Sequence, residues 1–375
     1  MSVRFAAVLG VVAGCHFSAD FSGTSYRCDN GQCPSGYTCI ADTCVLPGGG
    51  DAGDAAMADA LDADLAIPWW NTSWGKRANL TITNNAAGAL PTGFPVSVVV
   101  DLAMLESASA SYNELRVVRW DGTTWTELTR FEQITPVQNL IWFDLVDPLP
   151  TSTSTYEYWL YFDNPGALAA PANGAMVFPF FDGFDGTSVD TTLWAVQGAP
   201  SEGSMNLTLN PSDSVRTMSQ FAVGYAVAAS LLAPPNAPRF WAGFQRETDF
   251  SDGDPWLVWI NRAANDSDAP PTANPATIWP ETYISSIGMN NPSWGPAETL
   301  DTVKHYYTVE RFSDRVIYKY EENEVYTYVL PMADNDDLQV RLCNEGSKPI
   351  EFGAVFVRPV RIPDPAATIG ATQLQ

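Results

Sequence analysis

Short runs of alternating apolar and polar residues fill the chain from residue 67 to about residue 178. A period of two is typical of β-strands that have one face in a core and the other in solvent. The sequence Asp121-Gly122 lies between two such runs and predicts a hairpin. The predicted strands occupy residues 77–83, 94–102, 114–128, 139–146 and 155–162. Without a long helical period, this region is predicted to form an antiparallel β-sandwich.

The region after residue 179 has the same character. Residues 305–328 alternate in three runs, with turns at Ser313-Asp314 and Glu322-Asn323, and residues 351–358 form another predicted strand. The predicted fold class is therefore all-β: two antiparallel sandwiches of the jelly-roll type, at residues 67–178 and 179–375.

The first fifteen residues have the pattern of an export signal. Arg4 precedes an apolar run at residues 5–12, which is too short to span a bilayer as a helix. Val-Ala-Gly-Cys at residues 12–15 resembles the lipobox of bacterial lipoproteins, which implies that residues 1–14 are removed and that Cys15 carries the lipid. His16 is not the Asp of an inner-membrane retention signal, so we expect an outer-membrane lipoprotein, periplasmic or surface-facing. An ordinary secretory signal is the alternative.

Four close cysteines follow within residues 15–46, at Cys28, Cys33, Cys39 and Cys44. In an exported chain this spacing predicts a small knot with two disulfides. Three pairings exist, and we prefer Cys28 with Cys39 and Cys33 with Cys44. A structural zinc site is the less favoured alternative, because no C-x2-C knuckle is present. Residues 47–66, rich in Gly, Ala and Asp, are predicted to be a disordered linker.

Charge excludes several classes of partner. The 375 residues carry 43 acidic and 19 basic side chains, with a formal net charge of −24. This balance argues against nucleic-acid binding and against docking on anionic lipid through basic patches. The lipid anchor would then be the only contact with the membrane.

Two motifs carry a resemblance to a known family. The sequences WNTSWGKR at residues 70–77 and YFDNP at residues 161–165 resemble the domain of unknown function 2341, a family that recurs in bacterial surface proteins. The resemblance covers residues 67–178 and implies no established reaction. We expect Trp70 and Trp74 to clamp the first strand to the core rather than to bind a ligand.

The second sandwich resembles concanavalin A-like and laminin-G-like domains. The resemblance rests on FFDGFDG at residues 180–186, Leu193-Trp194, the three-stranded pattern of residues 305–328 and the strand at 351–358. The Asp-Gly usual at the second turn is absent. This superfamily has many glycan-binding members and some glycosidases, so function has to be argued from the site.

The sequence offers few candidate catalytic residues. Glycosidases of this fold place carboxylates on one strand, and the nearest pattern is Glu247, Asp249 and Asp252. The turn sequence that starts at Asp252 removes the third carboxylate from the strand. His305 begins a predicted strand without an evident partner. We therefore predict no enzymatic activity, with a glycosidase dependent on Glu247 as the least favoured alternative.

A calcium site is a weak candidate in the same segment. Asp249, Asp252 and Asp254 lie within six residues beside a glycine and offer the oxygen ligands that Ca²⁺ prefers. A solvated acidic hairpin is the favoured alternative. No other cofactor is predicted.

A proline-rich segment supplies the candidate glycan ligands. Residues 265–296 contain six prolines together with Trp279, Tyr283 and Trp294, and Trp256 precedes them. Aromatic faces beside polar groups suit sugar rings. The alternative is that these rings seal the loop onto the sandwich. Cys343, which has no nearby cysteine, is expected to be a partly buried thiol.

These observations predict an exported, lipid-anchored envelope protein that binds an extracellular glycan or surface polymer without cleaving it. The alternative is a structural or adhesion module that makes protein contacts in the envelope.

Overall fold

The structure is a computed structural model that describes residues 38–40, 43–45, 67–101, 112–236, 239–246, 250, 254–262, 270, 273–287, 289 and 291–375. It divides into two units, Met1–Pro68 and Trp69–Gln375. In the first unit, β1 (Thr38–Ile40) pairs with β2 (Thr43–Val45), and Cys39 lies across from Cys44 in the backbone register. The predicted signal, Cys15, Cys28, Cys33 and the linker lie outside the described residues, so the anchor and the disulfides stay predictions.

The first sandwich has two sheets. Its strands are β3 (Lys76–Asn84), β4 (Pro95–Val99), β5 (Arg116–Trp120), β6 (Trp125–Glu127), β7 (Arg130–Ile134), β8 (Asn139–Asp144) and β9 (Thr153–Phe162), and a short 3₁₀ turn spans Tyr112–Glu114. A three-stranded sheet has the order β4-β8-β7. Asp121 makes the β5–β6 turn by accepting hydrogen bonds from the backbone of Thr123 and Thr124 at 2.8 and 2.7 Å. The predicted hairpin is confirmed.

The second sandwich contains sixteen strands in two large sheets. They are β10 (Phe180–Asp182), β11 (Trp194–Gln197), β12 (Ser201–Gly203), β13 (Asn206–Leu209), β14 (Asp213–Thr217), β15 (Tyr225–Leu232), β16 (Phe240–Gln245), β17 (Trp256–Asn261), β18 (Thr277–Tyr283), β19 (Ser293–Trp294), β20 (Glu298–Thr299), β21 (His305–Arg311), β22 (Arg315–Tyr320), β23 (Asn323–Val329), β24 (Gln339–Asn344) and β25 (Ile350–Pro359). Short 3₁₀ turns span Gly174–Met176 and Ser285–Ile287.

The second sandwich consists of two sheets, which we call the front sheet and the back sheet. The front sheet has the order β11-β14-β24-β16-β17-β18-β19, with β20 paired to β18. The back sheet has the order β12-β13-β25-β15-β21-β22-β23, with β10 paired to β25. Inward side chains of both sheets form one apolar core that includes the fully buried Trp194, Trp259 and Phe352. The predicted all-β sandwich fold is confirmed for the described residues.

The last strand of the chain returns to the first sandwich. Strand β26 (Ala366–Leu374) pairs antiparallel with β3 and completes a five-stranded sheet of order β26-β3-β9-β5-β6. Ala367 and Ile369 pack against the core between the five-stranded and three-stranded sheets. The expected span 179–375 assigned this strand to the second sandwich, and its hydrogen bonds place it in the first.

The sandwiches meet through the three-stranded sheet and the back sheet. Leu140 and Trp142 of β8 pack with Phe178 and with Phe356 of β25 in a separate apolar cluster, and the Phe178 and Phe356 rings stack at 4.2 Å. The Arg358 guanidinium, buried beside this cluster, lies 4.9 Å from the Trp142 ring centroid. This packing fixes the two sandwiches to each other.

A network of buried charges continues this contact. Arg358 binds Glu310 at 2.9 Å and Asp364 at 3.1 Å, and Lys319 binds Glu310 at 2.6 Å. Burial would raise the pKa of the Asp364 carboxyl, but the charges of Arg358 and Lys319 lower it overall. Each buried acid of this network therefore has a cationic partner.

Cys343 is only 2% exposed, so the expected partly buried thiol is in fact buried.

Within the part of the chain that the structure describes, no helix is long and apolar enough to cross a membrane.

Candidate functional site

The outer face of the front sheet gathers the aromatic residues that the sequence singled out. Because side chains alternate along a strand, Trp256, Trp279 and Tyr283 point away from the core in which Trp259 and Ile278 are buried. Strand β19 adds a further tryptophan to this outer face through its pairing with β18. We call this outer surface of β16–β19 and β24 the aromatic face.

Three of the rings are partly accessible. Trp256 lies directly across from Tyr283 in the strand register, and their ring centroids are 5.2 Å apart. Trp294 is also half-buried and lies across from Glu281. Trp279 is only 2% exposed and does not present a ring to a ligand in this conformation. Its burial agrees with the alternative that such rings seal the sandwich.

A buried ion pair occupies the centre of the aromatic face. The Arg262 guanidinium contacts the Glu281 carboxylate at 3.2 Å, and Glu281 has no exposed surface. The same guanidinium lies 5.6 Å from the Trp294 ring centroid, within the range of a cation–π interaction. The pair therefore holds the Trp294 ring in place from beneath.

The neighbouring strands β14, β16 and β24 carry polar side chains on the same side of the sheet as these rings. The Arg341 guanidinium lies 5.1 Å from the Trp241 ring centroid and donates to Ser214 Oγ at 2.9 Å. Trp241 Nε1 donates to Gln245 Oε1 at 3.2 Å. These contacts link β14, β24 and β16 through polar side chains that are buried beneath the surface, since Ser214, Gln245 and Arg341 are each at most 2% exposed.

Sequence reasoning missed the polar members of this face. The signal was present in Trp-Pro-Glu-Thr-Tyr at residues 279–283, where alternation places Glu281 on the same face as Trp279 and Tyr283. Arg262 gave no comparable signal, because its partner is 19 residues away along the chain. Only the strand register brings the two together.

The carboxylates of the front sheet do not form a catalytic pair in the described structure. Among the described strands β11, β14, β16–β20 and β24, the acidic residues are Asp213, Glu281 and Glu298, and Glu298 lies across from the inward-facing Ile278. Asp213 shares the inward face of Val215 and accepts hydrogen bonds from the backbone of Ala199 and Asn210 at 2.8 Å. Hydrolysis with retention needs two carboxyl groups about 5.5 Å apart. Glu247, the alternative catalytic candidate, lies outside the described residues.

The weak calcium candidate is only partly described. Asp254 accepts hydrogen bonds from the Ser285 backbone N–H, at 2.9 Å to Oδ1 and 3.0 Å to Oδ2, and from the Ser285 hydroxyl. Asp249 and Asp252 lie outside the described residues. Among the residues that are described, no cluster of three or more metal-ligating side chains occurs. Asp254 thus has a structural role at the start of the 3₁₀ turn Ser285–Ile287, and calcium binding stays a prediction.

His305 has partners that the sequence did not show. Its Nδ1 lies 2.9 Å from Glu321 Oε1 and 2.9 Å from the Tyr320 hydroxyl, and its Nε2 lies 3.0 Å from Asp301 Oδ1. Burial, followed by the charges of Glu321 and Asp301, raises the pKa of Tyr320 to about 12, so this phenol stays neutral. Glu321 also accepts from the Tyr306 backbone at 3.0 Å. The cluster ties β21 to the β22–β23 turn in the back sheet.

The outer face of the five-stranded sheet carries a second aromatic stack. The Arg77 guanidinium lies between two rings, 4.7 Å from the Trp69 centroid and 4.5 Å from the Trp159 centroid. Trp125 continues the stack, 6.3 Å from Trp159 and 5.0 Å from Trp120. Cation–π contacts of this kind stabilise a sheet face that is otherwise open.

The predicted clamp at the start of this sandwich is visible in the same region. The Trp70 backbone donates to the Tyr161 hydroxyl at 2.9 Å, and the Trp70 and Trp74 ring centroids are 5.0 Å apart. Trp74 Nε1 donates to the Glu114 carbonyl at 2.7 Å, and Arg116 lies 5.2 Å from the Trp74 centroid. Both tryptophans therefore fasten the segment before β3 to the sheet.

Comparison with protein families supports part of the predicted resemblance. The family described as a domain of unknown function, DUF2341, matches residues 111–197. The expected span was 67–178, so the match begins later and extends into the first strands of the second sandwich. No curated protein matches the chain.

Solved structures with a similar fold cover about half of the chain. An endo-β-1,3-glucanase from Pyrococcus furiosus is 10% identical and covers 52% of this chain and 95% of its own, with a TM-score of 0.37. A protein of Mycobacterium tuberculosis described as an immunostimulatory antigen and pseudo β-1,3-glucanase is 13% identical, with coverages of 48% and 98% and a TM-score of 0.37. A structure described with endo-acting O-glycanases of the human gut microbiota is 14% identical, with coverages of 49% and 99% and a TM-score of 0.37. Identities and TM-scores of this size carry no information on activity.

Proposed function

We propose that the protein binds an extracellular glycan or another surface polymer through the aromatic face of its front sheet and does not cleave it. The observation that carries this proposal is the pairing of Trp256 with Tyr283 next to Trp294, three half-buried rings on one sheet surface. Partly exposed rings offer apolar surface to the C–H faces of sugars, and their fixed positions lower the entropy cost of binding.

The polar neighbours of these rings hold the surface beneath them in place. Gln245, Ser214 and Arg341 form a hydrogen-bonded chain on the adjoining strands and are 1%, 0% and 2% exposed, so they fix the strands that carry the rings rather than contact a ligand directly. Arg262 and Glu281 neutralise each other, so a bound neutral polymer would not have to cover an uncompensated charge at this part of the face.

The non-catalytic part of the proposal follows from the carboxylates. Glu281 is buried and bound to Arg262, so it is poorly placed to donate a proton to a glycosidic oxygen or to attack an anomeric carbon. A pair of catalytic carboxylates would need a second acid on the same face, and the described strands of the front sheet do not provide one.

We also propose that the protein is anchored at an outer membrane. Export and lipid attachment at Cys15, followed by the linker of residues 47–66, would hold the two sandwiches away from an outer membrane. A polymer-binding face would then reach ligands at a distance from the lipid.

Binding to a panel of soluble neutral and acidic polysaccharides tests this function. Affinity electrophoresis of the wild type should show retardation by at least one polymer. Trp294→Ala and Trp256→Ala should each weaken that binding at least about tenfold, because a stacked ring that anchors a ligand contributes about 1.4 kcal/mol or more. Trp120→Ala, which alters a half-buried tryptophan of the first sandwich, is the matched control and should bind normally.

Three outcomes would contradict the proposal. Equal binding by Trp294→Ala, Trp256→Ala and the wild type would remove the aromatic face as the site. Release of reducing ends from a bound polymer would identify a hydrolase. Absence of binding across the panel would favour the alternative function in protein contacts of the envelope.

A further inference from the structure

A cleft lies between the two sandwiches, at the end of strand β8. Two adjoining cavities of about 320 and 280 Å³ share Gly93, Asp144 and Met176 in their walls. Asp144 is the last residue of β8 and points to the same side as Leu140 and Trp142, which pack in the contact between the sandwiches. We call these two cavities together the Asp144 cleft.

The Asp144 carboxylate lacks partners. Its Oδ1 atom is shielded from solvent and has no hydrogen bond among the described residues. No basic side chain is present in either cavity wall. A buried oxygen without a donor costs roughly 1–3 kcal/mol, which makes such atoms rare in folded proteins. Two other acids at this contact, Glu310 and Asp364, are both bound to Arg358.

The rest of the cleft is largely apolar. Its walls are built from aliphatic, aromatic and proline side chains with two threonines: Thr92, Leu128, Thr129, Leu145, Val146, Val177, Phe178, Pro179, Tyr225 and Pro359. Tyr225 is the only other titratable residue among them. Desolvation alone raises the pKa of the Asp144 carboxyl to about 7, since no neighbouring positive charge opposes it. The cleft therefore presents one acidic acceptor against mainly apolar walls and is open to solvent on one side.

We propose that the Asp144 cleft binds a small organic ammonium ion, with the Asp144 carboxylate accepting its N–H groups and the apolar walls covering its hydrocarbon body. An ammonium group supplies the positive charge and the hydrogen-bond donors that the cavity walls do not provide to the carboxylate. The volume of each cavity accommodates a body of a few carbon atoms, at the lower end of the usual size of ligand pockets. This site is separate from the aromatic face and does not depend on the proposed glycan binding.

Ionisation of the carboxyl controls this binding. Above pH 7 the carboxylate is charged and attracts the ammonium ion, whereas below it the neutral acid does not. Tyr225 is the other titratable group of the walls. Affinity for the amine should therefore fall as the pH is lowered through about 7.

Calorimetric titration of the full chain with n-butylamine at pH 8 tests the site, with n-butanol as the uncharged probe of similar shape. We expect saturable binding of the amine that is at least about tenfold tighter than that of the alcohol. Asp144→Asn should remove this preference. Asp185→Asn, a change at an exposed aspartate outside the cleft, should retain it.

A measurement on the wild type keeps the test independent of the variant. The carboxyl carbon of Asp144, followed by NMR, should titrate at a lower pH when n-butylamine is present, because the ammonium ion favours the ionised form. Equal affinities for the amine and the alcohol, unchanged amine binding by Asp144→Asn, or an unmoved Asp144 titration would each overturn the proposal. So would the absence of saturable amine binding at pH 8.

Discussion

The half-buried carboxyl of Asp144 makes a definite prediction about stability. Desolvation raises its pKa from 3.8 to about 7 in the folded protein. The folded state therefore binds this proton more tightly than the unfolded state does. The resulting stability is fully present below pH 4 and is lost as the pH rises through about 7.

The magnitude follows from the size of the shift. Each pKa unit corresponds to about 1.4 kcal/mol of unfolding free energy. The rise from 3.8 to about 7 therefore sets an upper limit of about 4 kcal/mol on the contribution of Asp144 to stability. Because the cleft is open on one side, solvent screens the charge, and we expect about 1–2 kcal/mol. Asp144→Asn cannot ionise, so this variant should gain about 1–2 kcal/mol over the wild type at pH 8 and almost nothing at pH 3, which lies below the pKa of an aspartate in the unfolded chain.

Urea unfolding followed by tryptophan fluorescence at the two pH values measures this difference. Other carboxyls titrate in both proteins and cancel in the comparison, provided that they do not contact Asp144. Asp185→Asn is again the control and should show no gain that depends on pH. A stability difference between wild type and Asp144→Asn that is the same at pH 3 and pH 8 would refute the account of this carboxyl.

Three other changes test the fold around the sites. Deleting the strand Ala366–Leu374 should remove hydrogen-exchange protection from β3, since that strand would lose a neighbour; unchanged protection would contradict the pairing. Gly243→Ala should destabilise the front sheet by roughly 3 kcal/mol or more in urea unfolding, because a Cβ atom there would lie 2.3 Å from the Leu257 carbonyl oxygen. Glu281→Gln should cost about 3 kcal/mol, because Arg262 would lose a buried charge partner; a neutral effect would show that the pair is not needed.

Much of the fold could be predicted from alternation alone. The pattern at residues 77–83 became β3 (Lys76–Asn84), and the Asp121-Gly122 turn became the β5–β6 hairpin. Alternation reports which side chains share a face, and this is a local property. The pairing partner of a strand is not local, so the return of β26 to β3, across almost 300 residues, had no signal in the sequence.

The candidate site was predicted less completely. The sequence pattern predicted a proline-rich loop for Trp279, Tyr283 and Trp294, whereas the structure places them in strands β18 and β19. The burial of Trp279 depends on what packs over it, and the sequence pattern does not contain this information. Arg262 and Glu281 meet only because β17 and β18 are paired. The unpartnered carboxyl of Asp144 arises from the contact between sandwiches, and its sequence neighbours give no indication of that contact.

The central claim, polymer binding by the aromatic face, is tested most directly by one titration. A polysaccharide that retards the wild type in affinity electrophoresis is titrated calorimetrically into the wild type, the double variant Trp256→Ala with Trp294→Ala, and Trp120→Ala. We predict saturable binding by the wild type and by Trp120→Ala, and a loss of at least about a hundredfold in the double variant if the two rings contribute independently. Full affinity in a correctly folded double variant would contradict the account.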